Sequence, residues 1–176
     1  MVKMKVSSFN SPIGSLVVGS HQEQLHFIEH VRDERSHDWL RRRKIAPDRY
    51  ELVKDCTFNN QVINQLTEYF KGVQVNFNLP LNLVGTPFQK EVWNALYQIP
   101  YGQLVTYKDI AYAINRPKAV RAVGGAVNKN PISVIIPCHR VIGSNGNLVG
   151  YEGGLDRKRA LLNLETKDEQ WLKISQ

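Results

Sequence analysis

Residues 106–131 read TYKDIAYAINRPKAVRAVGGAVNKNP, and the architecture follows from how that stretch divides. Thr106 with Asp109 three residues on is a helix start: a side-chain oxygen accepts from the first free N–H groups and a carboxylate faces the positive end of the helix. The pattern runs to Ile114 and breaks at Asn115-Arg116-Pro117. A second helix is predicted from Pro117, and it must finish before Pro131, because proline has no N–H to continue a helix. Two short helices joined by the turn NRP predict a helix-turn-helix.

Working outward, TPFQKEVWNALYQI (residues 86–99) opens with Thr86, Pro87 and Gln89, a capping box with proline at the first helical position. Downstream, SVIIP (133–137) is a β-favouring apolar run and predicts a buried strand. Asn145-Gly146 within SNGN predicts a hairpin turn, and GLDRKRALLNLE (154–165) a closing helix. Upstream, short β-type runs separated by NSPIG and GSHQEQ predict strands, and DERSHDWLRRRK (33–44) a helix whose RRRK is a solvated face. TFNNQVINQLTEYFKG (57–72) is a helix with Val62, Ile63, Leu66, Tyr69 and Phe70 on one face and Gly72 at the C-cap. VNFNLPLNLVG (75–85) reads as a linker. The expectation is two domains, an α+β domain over 1–84 and a mostly helical one over 85–176.

Composition narrows the class. No run approaches the roughly 18 apolar residues that span a bilayer, and MVKMKVSSFN has no apolar stretch after its lysines, so neither membrane span nor secretory signal is expected. Two distant cysteines, Cys56 and Cys138, give neither a disulfide framework nor a C-x-x-C pair; a reducing cytoplasm is the expectation. Net charge is +7, and residues from Gly85 onward hold 12 Lys/Arg against 7 Asp/Glu, so the excess sits largely beside the helix-turn-helix. A polyanion is the partner such a surface fits, nucleic acid first. Gly124 and Gly125 each cost about 1 kcal/mol inside a helix relative to alanine. They imply a close approach, either to DNA or to the neighbouring helix.

Cys138 is followed by His139 and Arg140. A nucleophilic thiol needs a depressed pKa and access. On extended backbone, however, neighbouring side chains face opposite ways, so the histidine is expected to reach the sulfur through a water. By itself the pair reads first as a buried thiol beside a surface histidine.

The ordered set VTY, RAVGGA, NKNP, IPCHRV, GYEGG and LLNLE, over residues 86–165, resembles the O6-alkylguanine-DNA alkyltransferases. That resemblance implies a ribonuclease-H-like N-terminal α/β domain, then a winged-helix-like domain whose helix-turn-helix presents double-stranded DNA with the alkylated guanine flipped out. It implies that Cys138 is the alkyl acceptor, His139 the base acting through water, and Glu165 the carboxylate that orients it. Asn130 is implied as a hinge, Tyr107 as the group that hydrogen-bonds the base and gives it a proton, and Arg121 as the side chain filling the gap in the stack. Gln89, Lys108, Arg116 and Ser144 fall where relatives touch the backbone, and Tyr151 where they line the pocket. The product thioether cannot be displaced, so each molecule acts once. No cofactor is implied. Zinc, which some relatives hold in the first domain, lacks its ligand cluster here, with only Cys56 near His21, His26, His30 and His37. A monomer is expected. Cooperative assembly on DNA, the range of alkyl groups, the choice between O6-alkylguanine and O4-alkylthymine, and the role of Glu152 stay open.

Two rival readings remain at this stage. A non-catalytic module that recognises alkylated bases would need no acceptor, and Cys138 is present. A cysteine hydrolase built on Cys138, His139 and Glu165 would need an oxyanion-hole loop before the cysteine, and none is evident.

Overall fold

The computed structural model describes residues 3–33, 37–73 and 76–167. They form two compact units, one running through Val84 and including Pro131–Ser133, the other comprising Gly85–Asn130 and the chain from Val134 onward. No helix among the described residues is long and apolar enough to cross a membrane.

The first unit is built on strands β1 (Met4–Ser11), β2 (Gly14–His21), β3 (Gln24–His30) and β4 (Tyr50–Leu52), in the order β3-β2-β1-β4. β1, β2 and β3 are antiparallel neighbours, and β4 runs parallel to β1. The two-residue turn Gln22-Glu23 holds both residues at positive φ, 49° and 56°, the twist that tight hairpins require. Helix α2 (Thr57–Phe70) buries Val62, Leu66 and Tyr69 completely, on the face its spacing predicts. Asn59 lies on that face too, fully buried, accepting from Ser20 Oγ at 2.5 Å and donating to Ser7 Oγ at 2.9 Å.

Two expectations for this unit change. Of the predicted helix 33–44, α1 spans Asp38–Arg43, and residues 34–36 lie outside the described residues. Its RRRK is not a purely solvated face. Arg43 pairs with the buried Glu29, and Arg42 bonds Asp38 at 2.5 Å and the His30 carbonyl at 2.8 Å, because a carboxylate inside a sheet domain must be neutralised. Nor are residues 76–84 merely a linker: Leu25 N donates to Pro80 O and Asn82 N to Leu25 O, both at 2.8 Å. Pro131–Ser133 joins the same edge, with Ile28 N donating to Pro131 O at 3.0 Å. β3 would otherwise present a row of unpaired amides.

The second unit packs α3 (Pro87–Tyr97), α4 (Tyr107–Ala113) and α5 (Val120–Asn128) around Val92, Trp93, Leu96, Ile110, Val123 and Val127. Trp93 Nε1 donates to Ala126 O at 2.9 Å, tying α3 to α5. Both capping boxes form: Gln89 N bonds Thr86 Oγ1 at 3.2 Å, and Asp109 N bonds Thr106 Oγ1 at 3.1 Å. α5 begins at Val120, three residues later than predicted, because Arg116–Ala119 closes a turn (Ala119 N to Arg116 O, 2.9 Å) after the left-handed Asn115. The pair β5 (Val105–Thr106) and β6 (Val141–Ile142) is parallel, and α6 (Leu155–Thr166) closes the unit. Asn145-Gly146 does turn, with Gly146 N on Gly143 O at 2.9 Å, but the wing it belongs to is a loop without paired hairpin strands.

Candidate active site

SVIIP is not a strand. Val134 takes a φ of +73°, a conformation that costs a β-branched residue about 1–3 kcal/mol. Pro137, at φ −82° and ψ 64°, forms an inverse γ-turn closed by Cys138 N on Ile136 O at 2.8 Å. Cys138–Arg140 then make one turn of 3-10 helix. All residues from Asn130 to Val141 are buried, and that packing holds the strained path in place. Because the backbone coils, Cys138 and His139 do not sit on opposite faces of a strand.

The polar chemistry of this turn is concentrated on Glu165, buried on α6. Its Oε1 accepts from His139 Nε2 at 2.7 Å and Arg140 Nη2 at 2.9 Å; its Oε2 accepts from Arg140 Nε at 2.7 Å and Gly102 N at 3.1 Å. Burial by itself would raise the carboxyl pKa, but the hydrogen bonds from His139 and Arg140 and the Arg140 charge outweigh it and hold Glu165 well below the usual carboxylate range. Arg140 also donates to Ile99 O at 2.5 Å and lies 5.7 Å from the Tyr101 ring centroid. Burial pushes the His139 pKa down despite Glu165, so the imidazole is neutral at pH 7 and able to accept a proton. With Nε2 engaged by Glu165, Nδ1 is the nitrogen that can take it.

Asn130 bonds the sulfur, and Lys158, Tyr107 and Glu152 lie close enough to interact with it electrostatically. Asn130 hydrogen-bonds Cys138 and gives Nδ2 to Ile136 O at 2.8 Å, so one buried amide fixes both sides of the γ-turn. Lys158, fully buried, donates to the carbonyls of Val141 (2.6 Å), Val149 (3.0 Å) and Gly150 (3.3 Å). Burial lowers its pKa to about 8. Burial pushes the Cys138 thiol up; the Asn130 bond and the Lys158 charge pull it down without prevailing, and the Glu152 carboxylate adds to the rise. The expected depressed thiol is therefore corrected. At rest the sulfur is a protonated thiol beside a neutral imidazole, a pair suited to proton removal during reaction rather than before it. Tyr107 donates its hydroxyl to Val149 O at 2.8 Å, and burial, with the Cys138 charge, pushes its pKa up to about 12, so it remains a donor.

The remaining predicted residues lie outside this cluster. Arg121 is exposed on α5 and, among the described residues, makes no hydrogen bond or ion pair. A Cβ at Gly124 would only touch the Tyr107 ring at 3.9 Å, and one at Gly125 would meet open space, so neither glycine serves helix packing. Lys108 and Ser144 are exposed and Tyr151 is half-buried. Arg116 is held by Glu91 at 3.1 and 3.2 Å, and Gln89 Oε1 is used by its capping box. Cys56 is buried, and no three His, Cys, Asp or Glu side chains group for a metal ion among the described residues.

Three contributors escape a reading by motif. Arg140 neutralises Glu165, Gly102 supplies its fourth donor, and Lys158 anchors the loop after the turn. Lys158 left a signal: with Leu161, Leu162 and Glu165 it occupies one helical face of α6, spaced three, four and seven residues apart.

Residues 87–167 match the family model for the DNA-binding domain of 6-O-methylguanine DNA methyltransferase, and residues 4–83 match that for its ribonuclease-like domain. The chain is 44% identical over 162 residues to the methylated-DNA–protein-cysteine methyltransferase of Methanosarcina acetivorans, covering 92% of this chain and 98% of that protein. The crystal structure of Mycobacterium tuberculosis OGT in complex with DNA is 40% identical and superposes with a TM-score of 0.80 over 93% of each chain. The O6-methylguanine-DNA methyltransferase of Pyrococcus kodakaraensis is 25% identical, with a TM-score of 0.63 over 92% of this chain and 98% of that one.

Proposed function

The chain belongs to the 6-O-methylguanine DNA methyltransferase family, and from that premise we propose that it repairs DNA by moving the alkyl group of O6-alkylguanine onto Cys138, once per molecule. The observation that carries the assignment to residues is the convergence on one buried thiol of Asn130, Lys158 and Tyr107, next to a neutral His139 fixed by Glu165 and Arg140.

The transfer is a displacement at carbon. The Cys138 sulfur forms the new bond to the alkyl carbon as the carbon–O6 bond breaks. His139 takes the thiol proton on Nδ1, directly or across one water, and Glu165 stabilises the imidazolium so formed. Tyr107 gives its proton to the departing guanine, which would otherwise leave as an anion. The His139 imidazolium then returns its proton through water to the Tyr107 phenolate, so the net transfer is the thiol proton to guanine and the alkyl group to sulfur. Lys158 and Asn130 favour the sulfur's developing negative charge. Arg121, exposed on the recognition helix, occupies the space the flipped nucleotide leaves in the duplex. Lys108, Ser144 and Tyr151 add phosphate and pocket contacts, Gln89 through the amide its capping box leaves over, and Arg116 once freed from Glu91. The protein works as a monomer on double-stranded DNA in a reducing cytoplasm, with both cysteines free.

Duplex carrying radiolabelled O6-methylguanine tests this. Label should move to Cys138 at no more than one equivalent, and Cys138→Ala should bind DNA but take none. Binding without transfer would favour a recognition module; turnover on esters or peptides would favour a hydrolase.

A further inference from the structure

The outward face of α5 carries Arg121, Gly124 and Asn128, spaced three and four residues apart. Asn128, the last residue of the helix, is exposed, and among the described residues no hydrogen bond engages its carboxamide. It nevertheless has a defined neighbour. A Cβ built on Gly150 would lie 3.3 Å from Asn128 Oδ1, 3.6 Å from its Nδ2 and 3.4 Å from Tyr107 Oη. Gly150 itself has a φ of +60°. The amide and the phenol are thus drawn up together against a stretch of backbone that has no side chain.

Tyr107 can turn from this arrangement toward a base. The carbonyl it now bonds, Val149 O, has a second donor in Lys158 Nζ at 3.0 Å, so releasing it leaves no buried acceptor unpaired. Tyr107 is half-buried and near enough to Cys138 to feel its charge, whereas Asn128, which shares the Gly150 neighbourhood with the phenol oxygen, is exposed. A nucleotide whose base lies beside Tyr107 therefore passes Asn128 with its sugar and phosphate. Phosphate oxygens only accept hydrogen bonds, and the carboxamide offers them a neutral N–H donor.

We propose that Asn128 is a nucleotide-positioning residue: its Nδ2 donates to the sugar–phosphate of the flipped nucleotide while Tyr107 holds the base. The proposal rests on the alkyl-transfer reading above and concerns only substrates that bring a sugar–phosphate. It separates Asn128 from the acceptor chemistry and from Arg121, which acts in the duplex the nucleotide has left.

Single-turnover alkylation of Cys138 tests it with two substrates, duplex O6-methylguanine DNA and the free base O6-benzylguanine. Asn128→Ala should slow the duplex reaction about tenfold, as loss of one hydrogen bond to a charged group implies, and leave the free-base rate within about twofold. Asn128→Asp, the same shape with acceptors only, should be slower still on duplex, and the extra loss should shrink as salt screens it. Equal losses on both substrates would make Asn128 a support for the 148–152 loop and overturn the proposal, as would no loss on either. A wild-type protein that alkylates Cys138 from neither substrate would overturn the alkyl-transfer reading, and this inference with it.

Discussion

Replacing Glu165 with glutamine changes one oxygen for an amide nitrogen and nothing else in shape. In the native site both carboxylate oxygens are saturated, each with two donors between 2.7 and 3.1 Å away. An NH2 at the Oε2 position would face Arg140 Nε–H and the Gly102 N–H, neither of which can accept. At the Oε1 position it could donate to His139 Nε2 if the imidazole inverted its tautomer, but Arg140 Nη2 would still oppose it. That inversion would also move the ring proton to Nδ1, the nitrogen needed to receive the thiol proton. Arg140, buried, would be left without its counter-charge. Removing one partner of a buried pair costs about 3–5 kcal/mol. For a chain of this size that is a fall in melting temperature of about 6–20 °C, at roughly 2–4 °C per kcal/mol. Removal of a general base costs about 10²–10⁴ in rate. Thermal unfolding and single-turnover alkylation by free O6-benzylguanine measure the two effects separately. A Glu165→Gln protein that melts within 2 °C of wild type, by this ~3 kcal/mol minimum, and reacts at the wild-type rate would refute both the neutralising and the orienting roles.

Further outcomes are expected. The free-base rate should fall in acid with a midpoint below 6.5, because His139 is held below its ordinary pKa and loses its accepting nitrogen only when protonated; a midpoint above 6.5 would contradict the burial argument. Lys158→Met, which removes the cation beside Cys138 and the anchor of three carbonyls, should slow free-base alkylation at least about tenfold, one pKa unit at the thiol. Arg121→Ala should slow repair of duplex far more than attack on free base, and duplex affinity should drop steeply with salt, since counterions are released from neutralised phosphates. Asn59→Ala strands the buried hydroxyl of Ser20 and takes one donor from Ser7, which keeps its bond to Val53 O, and urea unfolding should report a loss of about 1–3 kcal/mol.

What could be read from the chain was what short-range chemistry decides. Thr86-Pro87-Gln89 and Thr106-Asp109 announce two helix starts because the capping atoms lie within one turn of each other, and both boxes form. α2 was legible because five apolar residues fall on one face. SVIIP misled because β-branched residues favour strands locally, whereas Val134 and Pro137 are bent by packing from residues distant in sequence. The pairing of residues 80–82 and 131–133 with β3 was invisible for the same reason, since no local pattern records a partner more than fifty positions away. At the site, the thiol, the imidazole and the carboxylate could be named by resemblance. The resting protonation of the sulfur could not, because it depends on burial and on Lys158, a cation concealed among leucines.

The last rungs beside β3 have a consequence for how the molecule is made. Ile28 leaves the ribosome long before Pro131 and Ile132, the residues that close its edge, and the whole helix-turn-helix is translated in between. At about 5–20 residues per second the gap lasts roughly 5–20 s. Throughout that interval a nascent strand stands with open amides, so this is the stage at which a chaperone, or an intruding neighbour chain, would find the polypeptide.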